Sequence, residues 1–362
     1  MSLWVDKYRP KTLSTLSYHD NITQNLRALS KSGDFPHLLV YGPSGAGKKT
    51  RIYATLEEIF GPSVEKLKID VKNFTTASNR KLEFNVLSSP HHLEITPSDM
   101  GNNDRVVIQD LLKDVASTEQ VDFGNQSSRK HRFKVVVINE ADSLSRDAQA
   151  ALRRTMEKYS SNIRLILVCN SISNIIAPIK SRTLLVRIPA PSVEDISRIL
   201  SHVAEHENIK FSSSDEHAVA QFYKQVATTS ERNLRRSLLA FETISMQNET
   251  INVKHIHSVI VLDWETIIKN MAKSISTQRN VPNLARLRTT SYELLSHCIP
   301  ARTILKKLVM ELVSMFMTRG DLVKEIVQIG SVFDERLSLG TKSIFHLEGF
   351  VAKTMVAIDA QS

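Results

Sequence analysis

The segment Gly42-Pro-Ser-Gly-Ala-Gly-Lys48 stands directly after an apolar run, His37–Tyr41, and just before a stretch with helical spacing, Arg51–Phe60. No other feature constrains the chain so strongly. A strand that ends in a glycine-rich turn and continues as a helix gathers backbone N–H groups and the positive end of a helix dipole at one point, which makes a cradle for phosphate. Such a strand is buried on both faces, so it belongs in a parallel sheet covered by helices. The neighbouring segments agree. Leu67–Val71 and His92–Ile95 read as strands, Phe133–Asn139 and Ile163–Cys169 are continuous β-branched runs, and Leu184–Ile188 closes the series. Arg146–Tyr159, between two of them, has helical spacing. Apolar strands separated by helices predict an α/β fold. Asn73–His91 reads as an insertion and Asn125–Arg132 as a polar, basic loop.

Beyond Pro189-Ala-Pro191 the strand signal disappears, and Ser192 is placed to cap a helix. Val193–Glu207, Ser214–Ala227 and Asn233–Gln247 read as helices, and from about Leu262 onward only longer helices follow, among them Ala301–Met317 and Ile344–Ile358. The expected plan is a nucleotide-binding domain over 1–188, a helical lid over 189–262 and an all-helical domain over 263–362. There are no internal repeats.

Composition narrows the setting. The chain has 362 residues, 41% hydrophobic and 23% charged, which is ordinary for a globular protein with a sizeable core. No run approaches the roughly 18 apolar residues of a membrane span. Met1–Pro10 carries charge and no apolar secretory segment, so a cytosolic or nuclear protein is expected. Cys169 and Cys298 are far apart and form no zinc pattern; two reduced, buried thiols are the simplest reading. A net charge of +9 favours polyanionic partners, although solvated basic faces account for it equally well.

Two positions depart from a working phosphate site. After Lys48 a Ser or Thr is needed to ligate Mg²⁺, but the residue is Lys49, whose ammonium repels a cation. Thr50 follows, turned by about 100° on the helix. The run Val135-Val-Val-Ile-Asn139-Glu140 should end in Asp to hold the metal and Glu to orient water; position 139 is Asn, a weak ligand for a hard cation, while Glu140 is in place. The pattern predicts a site that holds nucleotide, holds Mg²⁺ weakly or not at all, and turns nucleotide over poorly.

With these residues in view a family resemblance emerges. Leu3-Trp-Val-Asp-Lys-Tyr-Arg-Pro10 resembles the N-terminal WVEKYRP box of replication factor C subunits, Ala150-Ala-Leu-Arg-Arg-Thr-Met-Glu157 resembles their ALRRTME helix, and Ile179-Lys-Ser-Arg182-Thr their Ser-Arg-Cys motif. The defective loop and long insertion look most like the eukaryotic small subunit at the end of the arc. The resemblance implies an AAA+ domain, a lid and a helical collar. It also implies a nuclear heteropentamer of replication factor C subunits that uses ATP to load a PCNA-like sliding clamp at primer–template DNA, in replication and DNA repair.

The same resemblance implies residue roles. Val5, Tyr8, Arg9 and Pro10, with Ser17, would line an adenine pocket, and Pro43, Ser44, Gly45, Ala46, Gly47, Lys48, Lys49 and Thr50 the phosphate loop. Asn139 would stand at the altered metal position, and Asn170 resembles the residue that senses the γ-phosphate. Arg235 resembles a second sensor, although Arg232-Asn233-Leu-Arg departs from the family's Gly-Asp-x-Arg. Arg182 resembles an arginine finger that acts on a neighbour's ATP, a device worth about 10³–10⁵ in rate. A guanidinium folded back on its own chain, far from any adjoining nucleotide, would overturn that role. Thr183 stands where the family has cysteine.

Asp104–Ala116 is amphipathic, with Val107, Ile108, Leu111, Leu112 and Val115 on one face. In family members arginines on this helix track DNA; here the matching places are Asn103 and Gln109, with Arg105 and Lys113 nearby. Three readings therefore compete: a non-hydrolysing subunit that supplies an arginine in trans, a competent ATPase subunit, and a nucleic-acid-binding module independent of nucleotide.

Overall fold

The computed structural model describes residues 2–75, 81–117, 133–212, 215–252 and 262–361. The chain forms two compact units, 1–259 and 260–362. In the first, the apolar runs assemble into one sheet. β1 (Leu38–Tyr41) lies between β6 (Ile163–Cys169) and β7 (Leu184–Arg187), parallel to both. β6 continues through β5 (Lys134–Ile138) to β4 (His92–Ile95), again in parallel.

The inner strands β1, β5 and β6 are buried on both sides because alternate residues enter different cores, whereas the edge strand β7 leaves Leu184 and Leu185 exposed. Leu39, Val136, Ile138, Leu165 and Leu167 join the cluster under α4 (Asp104–Ser117) and α5 (Arg146–Lys158). Leu38, Val40, Val135, Val137, Ile166 and Val168 join the opposite cluster, with α3 (Lys48–Phe60). That period of two explains why these strands read as unbroken apolar runs. Val107, Ile108, Leu111, Leu112 and Val115 of α4 are all buried, as their spacing predicted.

The sheet is not wholly parallel. β2 (Lys68–Thr75) and β3 (Lys81–Ser88) pair antiparallel, and β3 runs antiparallel to β4, so the expected insertion is a hairpin that extends one edge. Too few residues separate Thr75 from Lys81 for a parallel crossover, which needs about a dozen or more. The basic loop expected at Asn125–Arg132 lies outside the described residues.

Beyond the sheet, α7 (Val193–His206), α8 (Glu216–Thr229) and α9 (Leu234–Gln247) enclose Leu200, Val203, Phe222, Val226 and Phe241. Ser192 caps α7 reciprocally: its Oγ accepts from Asp195 N at 3.0 Å, and Ser192 N donates to Asp195 Oδ2 at 3.2 Å. Two short strands, Lys210–Phe211 and Thr250–Ile251, pair in parallel where no strand was expected. They carry two residues each, too few to leave a periodic signal.

The second unit contains α10 (Asp263–Thr277), α11 (Val281–Ser296), α12 (Ala301–Met315), α13 (Gly320–Leu339) and α14 (Ser343–Ala360) around Ile268, Leu308, Ile326 and Phe350. Both cysteines are free, but only Cys169 is buried, and burial pushes its thiol up to about 12. Cys298 is exposed, which corrects the expectation for it; its positive φ of 60° puts it in the turn after α11, outside the packed face. Among the described residues no helix is long and apolar enough to cross a membrane.

Candidate nucleotide site

The phosphate loop leaves β1 at Tyr41. A Cβ on Gly42 would fall 1.9 Å from the Ile188 carbonyl oxygen, so only glycine lets the chain pass β7 here. Gly47, at φ 83°, then starts α3 in the left-handed region that glycine adopts without strain. Lys48 is the first residue of that helix. Its Nζ donates to Gly42 O at 2.7 Å, Pro43 O at 2.9 Å and Asn170 Oδ1 at 2.9 Å. Asn170 follows β6, and its N–H donates to Asp142 Oδ2 at 3.0 Å, which fixes the turn that carries it. The loop lysine and the expected γ-phosphate sensor therefore meet directly. Burial, joined by nearby Arg235, holds the Lys48 ammonium below the usual lysine range even though Cys169 and Asp142 oppose the shift.

A cavity of about 300 Å³ opens over this loop, a volume at the lower end for ligand pockets. Arg9, Ser44, Gly45, Gly47, Lys48, Lys49, Thr50, Asn139, Glu140, Asn170 and Arg235 line it, so most of the expected residues converge. Arg9 Nε donates to Thr50 Oγ1 at 3.3 Å. Arg235 is on the first turn of α9, whose N-cap Asn233 touches the loop so closely that a Cβ on Gly45 would fall 1.7 Å from its Oδ1. Four basic side chains facing one cavity suit a polyanion.

Other expected residues lie elsewhere. Pro43 and Ala46 are in the loop but not in the lining; the Ala46 carbonyl accepts from Tyr18 Oη at 3.2 Å. Val5 and Tyr8 pack with the core of α7–α9, and Tyr8 Oη donates to Glu207 Oε1 at 2.6 Å. Pro10 and Ser17 are also outside the cavity lining.

The half of the site where a metal would be expected is built on a residue that the motifs did not reveal. Glu94, on β4 and 3% exposed, pairs with the Lys49 ammonium, accepts from the Tyr53 hydroxyl, and accepts from Asn139 Nδ2 at 2.6 Å. Burial alone would raise its carboxyl, but hydrogen bonds from Lys49, Tyr53 and Asn139 bring it below the ordinary carboxylate value. Asn139 Oδ1 is buried with no hydrogen-bond partner. Glu140 stands at φ 50° at the end of β5 and accepts from Ser98 Oγ at 3.2 Å. Sequence held one hint of Glu94: a lone carboxylate inside the apolar segment His92–Ile95.

Comparison with known proteins identifies the chain. Residues 264–362 match the model "Replication factor C subunit 3, C-terminal domain", 198–246 match "RCF1/5-like, AAA+ ATPase lid domain", and 18–192 match "DNA polymerase III, delta subunit". Replication factor C subunit 5 of Saccharomyces cerevisiae is 56% identical over 99% of this chain and 100% of its own length. The chain belongs to the replication factor C subunits. Replication factor C subunit 3 of Homo sapiens is 48% identical over 98% of this chain and 96% of its own. Among solved structures, a RuvB variant of Thermotoga maritima aligns at a TM-score of 0.51 with 15% identity, covering 85% of this chain and 91% of that one; that likeness is one of fold alone.

In this replication factor C subunit the Arg182 side chain lies on its own chain. Nη2 pairs with Glu157 Oε1 at 2.6 Å, and Nη1 donates to Pro178 O at 3.0 Å and to Ser181 Oγ at 3.3 Å. A finger already extended from the chain is thus not what the structure shows; a role in trans requires this pair to open. Both side chains are well exposed, and exposed ion pairs are weak. Glu157 ends the Ala150–Glu157 motif, so two motifs noted separately in the sequence are joined here. On α4, Arg105, Gln109 and Lys113 are exposed beside the half-buried Asn103. The buried Asp104 carboxylate already occupies the helix start, accepting from Arg105 N at 2.7 Å and Ser145 N at 2.7 Å.

Proposed function

We propose that this chain is a subunit of a heteropentameric replication factor C clamp loader that binds ATP or ADP without hydrolysing it. In the nucleus it would help other replication factor C subunits open a PCNA-like sliding clamp and place it on primer–template DNA, and it would supply Arg182 to a neighbour's ATP. One observation carries the reading of its own site. Lys48, Asn170 and Arg235 line one cavity, while Lys49 and Asn139, the two groups that should serve a metal, are both committed to Glu94. Phosphoryl transfer draws much of its rate from metal neutralisation of developing charge. A site that grips phosphate and lacks that support is suited to holding nucleotide.

The affinity of the full chain for ATP tests the cradle. Lys48→Ala removes an ammonium that would otherwise reach the terminal phosphates, and charge-assisted hydrogen bonds contribute about 1.5–3 kcal/mol. Binding by calorimetry is expected to weaken at least about tenfold, with the far-ultraviolet spectrum unchanged. Equal affinity for both proteins would favour a nucleic-acid module independent of nucleotide. Glu140 is the one feature that favours a competent ATPase, since it is the acid that would orient water.

A further inference from the structure

The half of the cavity that should hold magnesium is chemically unsuited to it. A divalent cation of this kind takes oxygen ligands in near-octahedral array. Here Lys49 and Asn139 present N–H donors, and both point them at one carboxylate, Glu94, which Tyr53 also engages. Among the described residues, three donors therefore occupy the one acidic group buried at this point of the site, and no group of three or more His, Cys, Asp and Glu is placed to hold a metal ion. The disagreement with a metal site is systematic rather than a single lost ligand. Each altered residue finds its partner in the same buried side chain.

The arrangement supplies its own positive charge. Lys49 is 39% exposed while Glu94 is 3% exposed, and Lys49 lines the cavity alongside Lys48. The ammonium is thus anchored on the protein, on a side chain that lines the space above the phosphate loop. An ammonium carries three N–H donors, of which Glu94 takes one. Without Glu94, Lys49 would be a mobile surface lysine; without Lys49, Glu94 would set a buried negative charge beside the phosphates. Together they form an ion pair whose carboxylate is buried and whose lysine lines the cavity.

We propose that the Lys49 ammonium, anchored on Glu94 and through it on Asn139, is a resident countercharge that lets this chain hold a nucleoside di- or triphosphate without a divalent cation. The proposal rests on the nucleotide reading of the cradle. It adds that retention is insensitive to metal and that Lys49 is the reason.

Titration calorimetry of the full chain with ADP, once in Mg²⁺ and once in EDTA, tests it. Dissociation constants that agree within about twofold are expected. Lys49→Thr removes the charge, so binding in EDTA should weaken by about tenfold or more; combined with Asn139→Asp, which restores the second oxygen ligand, binding should be regained on adding Mg²⁺. Lys49→Arg keeps the charge and should keep binding in EDTA. Wild-type binding that strengthens about tenfold with Mg²⁺, or a Lys49→Thr variant that binds in EDTA as tightly as the parent, would overturn the countercharge while leaving the nucleotide cradle standing. Binding in neither buffer would overturn the cradle itself, and this inference with it. Should Lys49→Thr fail to fold, the comparison of wild type in the two buffers still decides.

Discussion

Replacing Arg182 with alanine is expected to lower ATP hydrolysis at the adjoining subunit by about 10³–10⁵, the range that a trans arginine commands. The loss should be read in the assembled complex with the other hydrolytic sites disabled by their own loop-lysine substitutions. Nucleotide affinity of this chain should not change, because Arg182 does not line its cavity. The ion pair with Glu157 provides a control. If Arg182 acts only by bracing α5, then Glu157→Gln should reproduce the defect, since it removes the same contact. If the guanidinium serves a neighbour, Glu157→Gln releases it and leaves hydrolysis intact. Arginine suits this duty better than lysine because its planar fork meets phosphoryl oxygens in pairs and stays charged. Untouched hydrolysis in the Arg182→Ala complex would remove the trans role.

The second large effect falls on stability. Gly42→Ala should destabilise the first unit by about 3 kcal/mol, the upper end of the usual cost of overpacking a tight interior. The added Cβ would meet the Ile188 carbonyl oxygen at 1.9 Å, and that backbone cannot yield, because Ile188 N donates to Tyr41 O at 2.8 Å across the same gap. A lowering of the melting temperature by roughly 6–12 °C follows for a unit of this size. Gly320→Ala gives the contrast: no atom lies within 4 Å of its added Cβ, and it opens α13. There the substitution should be neutral or stabilise by about 0.5 kcal/mol. A Gly42→Ala protein that melts with wild type would mean that β1 and β7 do not approach as described.

Much of the fold was legible because burial on both faces writes itself into composition. β4 and β6 carry the bounds that their apolar runs suggest, β1 and β7 differ by a residue at one end, and β5 by a residue at each end. The loop was equally plain, since Gly42 and Gly47 answer steric demands that few other residues meet. What stayed hidden depends on neighbours distant in sequence. In β3 Phe84 and Val86 are buried while Glu83 and Asn85 are exposed, yet this segment read as part of an insertion. Glu94 could not be joined to Lys49 and Asn139 without knowing that β4 and β5 are paired and that the first turn of α3 lies over them. The packing of Tyr8 and Val5 against α7–α9 likewise follows from where the lid sits, which no local pattern encodes.

The most direct trial of the site is the fate of one ATP. The purified full chain, saturated with ATP labelled at the γ-phosphate in the presence of Mg²⁺, is separated from free nucleotide and quenched at intervals. With Lys49 and Asn139 both bound to Glu94, the label is expected to remain in ATP over hours. Conversion of the bound nucleotide to ADP and phosphate within minutes would show a working ATPase and contradict the account.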